Sequence, residues 1–319
     1  MLKYYAWAAA EKTLSFVPGG ATAYKAASLL ANSNDRSKRR LVGCSTAYRL
    51  VRKARELTPA GGTILDVGTG WHHHDPILLY LFDGNYKFYL FDIEDRARLG
   101  YLRTYFRHLL ENLDELEMEI GIDRQLARQK LEYLLTLGSR QEIYQACNFE
   151  LCITRDIGTP FLPEGSVDCM VSNCVLTHIP PSVLEPELLA LRRMLKPAGA
   201  MYMMIGHDDH WAFHDATVNM FNYYRYSDRT YHLLFDTNFE YQNRMVKSEW
   251  LPVFRRTGLD VVEYHGSVSD ESYRAIDALP RIDERFARYP RDELATIHSY
   301  FLLRHADGHW ANAGAPGSI

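Results

Sequence analysis

Positive charge is not in excess in this chain. Its 36 Lys and Arg are outnumbered by 40 Asp and Glu, for a net charge of −4, so it carries no basic footprint for a nucleic-acid backbone. Long hydrophobic runs are also missing. No stretch of about 18 uncharged apolar residues occurs, and nothing reads as a membrane span. The apolar opening Leu2–Ala10 is cut by Glu11 and Lys12 before it reaches signal-peptide length. Cysteine is scarce: Cys44, Cys147, Cys152, Cys169 and Cys174 are odd in number and show no C-x-x-C spacing. They read as small buried apolar residues of a reducing, cytoplasmic protein. No internal repeat is present. What remains, 47% hydrophobic and 24% charged residues over 319 positions, is enough for one large domain or for a domain with a substantial cap.

The most informative segment is Ile64-Leu-Asp-Val-Gly-Thr-Gly70, followed by Phe88-Tyr-Leu-Phe-Asp-Ile93. An apolar strand enters a two-glycine turn, and a second apolar strand ends on Asp92, 26 positions after Asp66. This is a nucleotide-binding βαβ pattern. Glycine lets the backbone approach a ligand, and the later carboxylate accepts hydrogen bonds from a ribose. A dinucleotide site would continue to a third glycine, where this chain has His73. A carboxylate at Asp66 would also repel a pyrophosphate, whereas it suits a cationic ligand.

On these residues the chain resembles the class I S-adenosylmethionine-dependent methyltransferases, although His72 stands where their motif often has a further glycine. Further segments follow in the family's order. Ile153-Thr-Arg-Asp-Ile157 resembles the end of the third strand, and Val167–Ile179 the fourth strand with its loop. A helix over 183–195, the turn Lys196-Pro-Ala-Gly199 and a fifth strand over 200–205 come next. The resemblance covers 61–205 and, more loosely, 247–264. It implies a Rossmann-like α/β fold with a seven-stranded, mostly parallel sheet whose last strand is antiparallel. It also implies S-adenosylmethionine as cofactor, held by Asp66, Gly68, Thr69, Gly70, Asp92, Ile93, Asp156, Ile157 and Asn173.

The pattern divides into a helical extension (1–60), a cofactor-binding domain (61–305) and a Gly- and Ala-rich flexible tail (306–319). The extension carries a polar break at 32–40 and a helix at 47–57. Its first helix has two open readings, docking on the domain or contact with a membrane surface or partner. Two connections are longer than a plain crossover needs. Residues 94–149 read as one or two helices, broken near Gly121 and Gly138, and 206–246 holds ten aromatics between Trp211 and Tyr241. Both are expected as caps over an acceptor that is ring-shaped or partly apolar, with an outer helix pair of structural value alone as the open alternative for 94–149. The helix 247–257 closed by Gly258, a strand 259–264, a helical stretch 283–294 and a strand 297–303 complete the reading.

Methyl transfer asks the protein for alignment and, for an oxygen or nitrogen acceptor, a place for the proton. Gly206-His-Asp-Asp-His-Trp-Ala-Phe-His-Asp215 begins where the fifth strand opens into the pocket. Three readings stay open for it: a base with its orienting carboxylate, a divalent metal site, or a hydrogen-bonded lid. The first assigns His210 as base and Asp209 as its orienter, with His207 or His178 as the alternative acceptor. His72–His74 point in different directions at a helix start and do not close on one metal, so no metal is expected. Asn173 is followed by Cys174-Val175 rather than Pro-Pro, which disfavours methylation of nucleic-acid amino groups. The expected activity is methyl transfer to a small molecule, at a hydroxyl oxygen, in a biosynthetic pathway. The Asp-His-aromatic pattern resembles bacterial methyltransferases of glycan and natural-product pathways. A catalytically silent module of the same fold and an NAD-dependent oxidoreductase are the alternatives.

Overall fold

The computed structural model describes residues 2–20, 22–24, 45–237, 239 and 241–306. The polar break at 32–40 and the tail from 307 onward lie outside the described residues. Seven strands form one sheet: β1 Thr63–Val67, β2 Lys87–Asp92, β3 Phe149–Ile153, β4 Val167–Asn173, β5 Leu195–Gly206, β6 Leu259–Ser267 and β7 His298–His305. Their order is β3-β2-β1-β4-β5-β7-β6. The first five pair in parallel, and β7 runs antiparallel to both β5 and β6. This is the Rossmann-like sheet expected from the sequence. The direction in which successive strands are added reverses between the parallel neighbours β1 and β4, which opens a crevice at their carboxyl ends.

Alternation along the strands feeds two cores. Ile64, Cys169 and Val171 pack on one face with Val51 of the helix at 45–57, while Leu65, Val67 and Met170 pack on the other. In chain order the helices are α1 Leu2–Phe16, α2 Ser45–Leu57, α3 His74–Tyr80, α4 Leu99–Glu111, α5 Leu113–Ile120, α6 Arg124–Thr136 and α7 Arg140–Cys147, then α8 Pro181–Met194, α9 Asp228–Leu234, α10 Lys247–Arg256, α11 Asp270–Asp277, α12 Glu284–Ala287 and α13 Arg291–Leu294. Helices α2 to α7 cover the first face, and α8 and α10 the second. In α8, Pro181 occupies the first turn, where its missing N–H costs nothing. Leu184, Leu188 and Leu191 then bury one stripe.

The connection 94–149 forms four helices, not one or two. Asn112 leaves helical geometry between α4 and α5, Gly121 caps α5 in the left-handed region, and Ser139 caps α7 by accepting from the Glu142 N–H. The helical stretch expected over 283–294 is split into α12 and α13 by Tyr289-Pro290. The expected turn at 196–199 lies inside β5. Val167 pairs with Leu195 and Cys169 with Ala200, so four residues bulge out between the two pairs.

A third core sits beyond the sheet. Tyr4 and Ala8 of α1 pack with Trp211, Phe221, Tyr223, Tyr226, Tyr231 and Phe235 of the long connection 206–246, and with Ile276, Phe286 and Leu294 behind them. One face of α1 is therefore docked on the rest of the chain. The Tyr4 hydroxyl donates to Asp209 Oδ2 at 2.8 Å, and Asp209 Oδ1 accepts from the Trp211 N–H at 3.0 Å. The Lys12 ammonium donates to the carbonyls of His232 and Asp236 at 2.9 and 2.7 Å.

Burial pushes the Asp209 carboxyl from its ordinary 3.8 up to about 7, against the hydrogen bonds from Tyr4 and Trp211. The folded chain therefore holds a proton there that the unfolded chain has already released. The stability tied to it is complete below about pH 4 and is lost as the pH rises toward 7. In thermal melts from pH 4 to 9, Asp209→Asn should gain on the wild type through that window and run parallel to it above. Tyr4→Phe, which leaves a buried acceptor without its donor, should cost about 1–3 kcal/mol in urea unfolding.

Candidate active site

The carboxyl ends of β1, β2 and β4 are tied together by the turn after β1. Gly68 and Gly70 adopt φ of 82° and 62°, in the left-handed region that glycine enters without penalty. The Gly68 and Thr69 N–H groups both donate to the Phe91 carbonyl, at 2.8 and 2.9 Å. The Gly70 N–H donates to Asp92 Oδ2 at 2.9 Å. A Cβ on Gly68 would lie 2.2 Å from Val175 Cγ2, so the glycine also admits the loop after β4.

A cavity of about 470 Å³ opens over this turn. Gly68, Gly70 and Trp71 form its floor, and Asp92, Ile93 and Arg96 one wall. Ile157, Val175, His178, Ile179 and Pro180 contribute from the loops after β3 and β4. Thr237, Phe239 and Tyr241 from the connection 206–246 close it. Of the connection 94–149, Arg96 reaches the wall; helices α4 to α7 pack on α2 and α3 instead. The cap over the cavity is thus supplied by one long connection rather than both. Phe239 stacks on Tyr24 with ring centroids 4.5 Å apart, which braces the cap from the N-terminal side.

Among the residues singled out from sequence, Gly68, Gly70, Asp92, Ile93, Ile157 and His178 meet at this cavity. The others lie elsewhere. Asp66 is buried beneath the turn, and burial, with the nearby Asp75 and Asp92, raises its carboxyl well above the usual range while Thr69 opposes the shift. Asn173 donates to Asp75 Oδ2 at 3.2 Å, on the same underside. Thr69 bonds through its hydroxyl to His73 Nδ1 at 2.7 Å, and His73 Nε2 meets the Tyr144 hydroxyl of α7 at 2.7 Å. His73 is therefore a buried link between the turn and the helical connection. Burial drives it down to about 4, so it stays neutral. Asp156 is exposed and stands off the cavity wall.

The histidine cluster after β5 is dispersed. His207 is buried with Nε2 2.8 Å from the Ser299 hydroxyl, and burial lowers it to about 4. It is held in the core. Both Asp209 oxygens are engaged by Tyr4 and Trp211, so Asp209 caps the following 3₁₀ turn and clasps α1, where sequence reasoning made it the orienter of His210. The His210 ring lies 5.7 Å from Phe213 and 4.8 Å from His178, measured between centroids. His178 Nδ1 lies 3.1 Å from the Tyr241 carbonyl. A carbonyl only accepts, so in the neutral ring Nδ1 carries the hydrogen and Nε2 is left as the acceptor. Among the described residues no three His, Cys, Asp or Glu side chains converge as a metal site would require.

Sequence reasoning missed Arg96, Thr237 and Glu187 on the cavity wall. Glu187 did leave a signal: it is a charged residue within the apolar stripe Leu184, Leu188, Leu191 of α8.

No family model matches the chain, and no curated protein matches it. Solved structures do. A TehB-like SAM-dependent methyltransferase from Corynebacterium glutamicum is 15% identical, with 89% of this chain and 96% of that one covered at a TM-score of 0.41. The 1,6-didemethyltoxoflavin-N1-methyltransferase of Burkholderia thailandensis is 12% identical, covering 89% and 90% at 0.43. Geranyl diphosphate C-methyltransferase from Streptomyces coelicolor is 9% identical, covering 81% and 77% at 0.44.

The turn makes a testable demand. Gly70→Ala, whose Cβ would meet little beyond the Gly68 carbonyl at 3.9 Å, should cost about 1–2 kcal/mol for its left-handed backbone. Gly68→Ala should cost about 1–3 kcal/mol more through its clash with Val175. Adding Val175→Ala should recover most of that excess in urea unfolding.

Proposed function

We propose that this chain binds S-adenosylmethionine and transfers its methyl group to a small-molecule acceptor, at a hydroxyl oxygen. The observation that carries the reading is Asp92: a carboxylate at the end of β2, on the wall of the same cavity whose floor is the Gly68–Gly70 turn. Such a pair suits a ribose beside a ligand chain lying close to the backbone. The residues present fit the cofactor. Gly68 and Gly70 keep the floor free of side chains, and Asp92 accepts from the ribose hydroxyls. Asp66 is a buried carboxyl under the turn, which a cationic ligand above it would draw back toward its ionised form. When bound, the cofactor supplies an electrophilic methyl carbon. Residues 61–305 carry this activity, with 1–60 as an extension that braces the cap.

The protein's part in the step is alignment and proton acceptance. His178 Nε2 would accept the proton of the acceptor hydroxyl. The Tyr241 carbonyl holds the His178 ring in the required tautomer. Phe239 and Tyr241, with Trp71 opposite, offer apolar ring surface, which favours an acceptor that is itself ring-shaped or partly apolar. No helix among the described residues is long and apolar enough to cross a membrane.

Calorimetry tests the reading. The wild type should bind S-adenosylhomocysteine and not NAD, and Asp92→Ala should weaken binding by about tenfold or more. Unchanged binding in that variant would sink the assignment. Against an acceptor found by screening hydroxylated ring compounds, His178→Ala should lower turnover by about 10²–10⁴-fold at unaltered cofactor affinity. His210→Ala should cost less.

A further inference from the structure

We infer that Glu187 reads the base of the bound nucleoside, pairing its carboxyl with the amino group and adjoining ring nitrogen of adenine. The inference rests on the cofactor reading above. Asp156, which the resemblance counts among the residues that hold the cofactor, is exposed and is not among those lining the cavity. Glu187 is on the wall and only 2% exposed. Its Oε2 has no hydrogen-bond partner among the described residues. A buried polar atom left in that state is costly, and a ligand group that satisfies it removes the cost.

The loop after β3 places Glu187 on the correct side, for a Cβ on Gly158 in that loop would lie 3.3 Å from the Cβ of Pro186, the residue before Glu187. A ligand with its chain over the Gly68 turn after β1 and its ribose on Asp92 after β2 directs its base toward the β3 side, because β2 lies between β1 and β3. There the wall contains Phe91, Ile157 and Glu187. The two apolar side chains suit the faces of a purine, and the carboxyl is left for its edge.

The chemistry of that edge selects a protonated acid. Adenine presents an N–H donor beside a ring-nitrogen acceptor, and a neutral carboxyl presents one acceptor and one donor. An ionised carboxylate has acceptors alone and would set a lone pair against the ring nitrogen. Burial holds Glu187 protonated, up to about 8. Among the described residues, the other titratable groups on the cavity wall are Asp92, Arg96, His178 and Tyr241. Beyond the wall, Glu185 of α8 is paired with Arg256 of α10. Burial is the cause of the Glu187 shift, and none of these groups adds to it.

The test is calorimetry on the full chain with two probes, S-adenosylhomocysteine and its analogue lacking the 6-amino group, against the wild type, Glu187→Leu and Glu187→Gln. At pH 7 the wild type should prefer S-adenosylhomocysteine, and Glu187→Leu should lose about tenfold in affinity for it together with that preference. Glu187→Gln, whose amide offers the same donor and acceptor, should stay within about threefold. Above pH 8 the wild type should weaken relative to Glu187→Gln as its carboxyl ionises. A folded Glu187→Leu that binds S-adenosylhomocysteine as the wild type does would overturn the inference and leave the cofactor reading standing. So would a wild type indifferent to the 6-amino group. If Glu187→Leu does not fold, the pH profile of Glu187→Gln against the wild type decides, and parallel profiles overturn it. A wild type that fails to bind S-adenosylhomocysteine at all removes the cofactor reading and this inference with it.

Discussion

Everything at the carboxyl edge of this sheet depends on the backbone of one turn lying flat against its neighbours. Gly68 and Thr69 give their N–H groups to the last turn of register in β2, through Phe91. The absent side chain of Gly68 is the space into which Val175 of the loop after β4 fits. Three strands are thus locked at one point, and the cavity is what remains above it. That loop then bends through Cys174, whose φ of 58° is unusual for a residue with a side chain. Its N–H is fixed to the Met204 carbonyl of β5, so the bend is held from outside the loop.

Much of this was legible in the sequence because the signals were local. A strand, a glycine turn and a carboxylate at the next strand end are read over thirty residues, and the order of the later strands followed from short apolar runs with turns between them. Residues such as Asp209 and His207 were not legible in the same way. Their types suggested proton chemistry, but their partners, Tyr4 and Ser299, lie 205 and 92 positions away. A histidine packed against a distant serine looks identical in sequence to one facing solvent. The four-helix connection was under-read for a related reason. In α7 only Ile143 and Cys147 are buried, too few for a visible period, and its start depends on a cap by Ser139 rather than on hydrophobic pattern.

The third core changes the standing of the N-terminal helix. A helix rich in aromatics and alanine can serve as an anchor to something outside the molecule, but here its inner face meets the aromatic connection that supplies the cavity's cap. Tyr4, Lys12 and Tyr24 each contact that connection, spaced along its length from Asp209 to Phe239. Trp7 and Phe16 lie on the outside, 49% and 75% exposed. The cap is thereby a composite of two stretches some two hundred residues apart, and its rigidity is a property of both.

The position of β7 has a bearing on how the chain reaches this state. The first five strands each meet a partner already made or soon to follow, so that half of the sheet can assemble as it emerges. Strand β6 pairs with β7, and β5 also waits for β7 on its outer edge. Until residues 298–305 arrive, two rows of unpaired backbone groups stand open, one of them along Met201–Ile205 in the middle of the finished sheet. Edges of that kind invite pairing with another chain. The final strand acts as a wedge that closes both at once, and an interval of exposure is written into the topology before the molecule is complete.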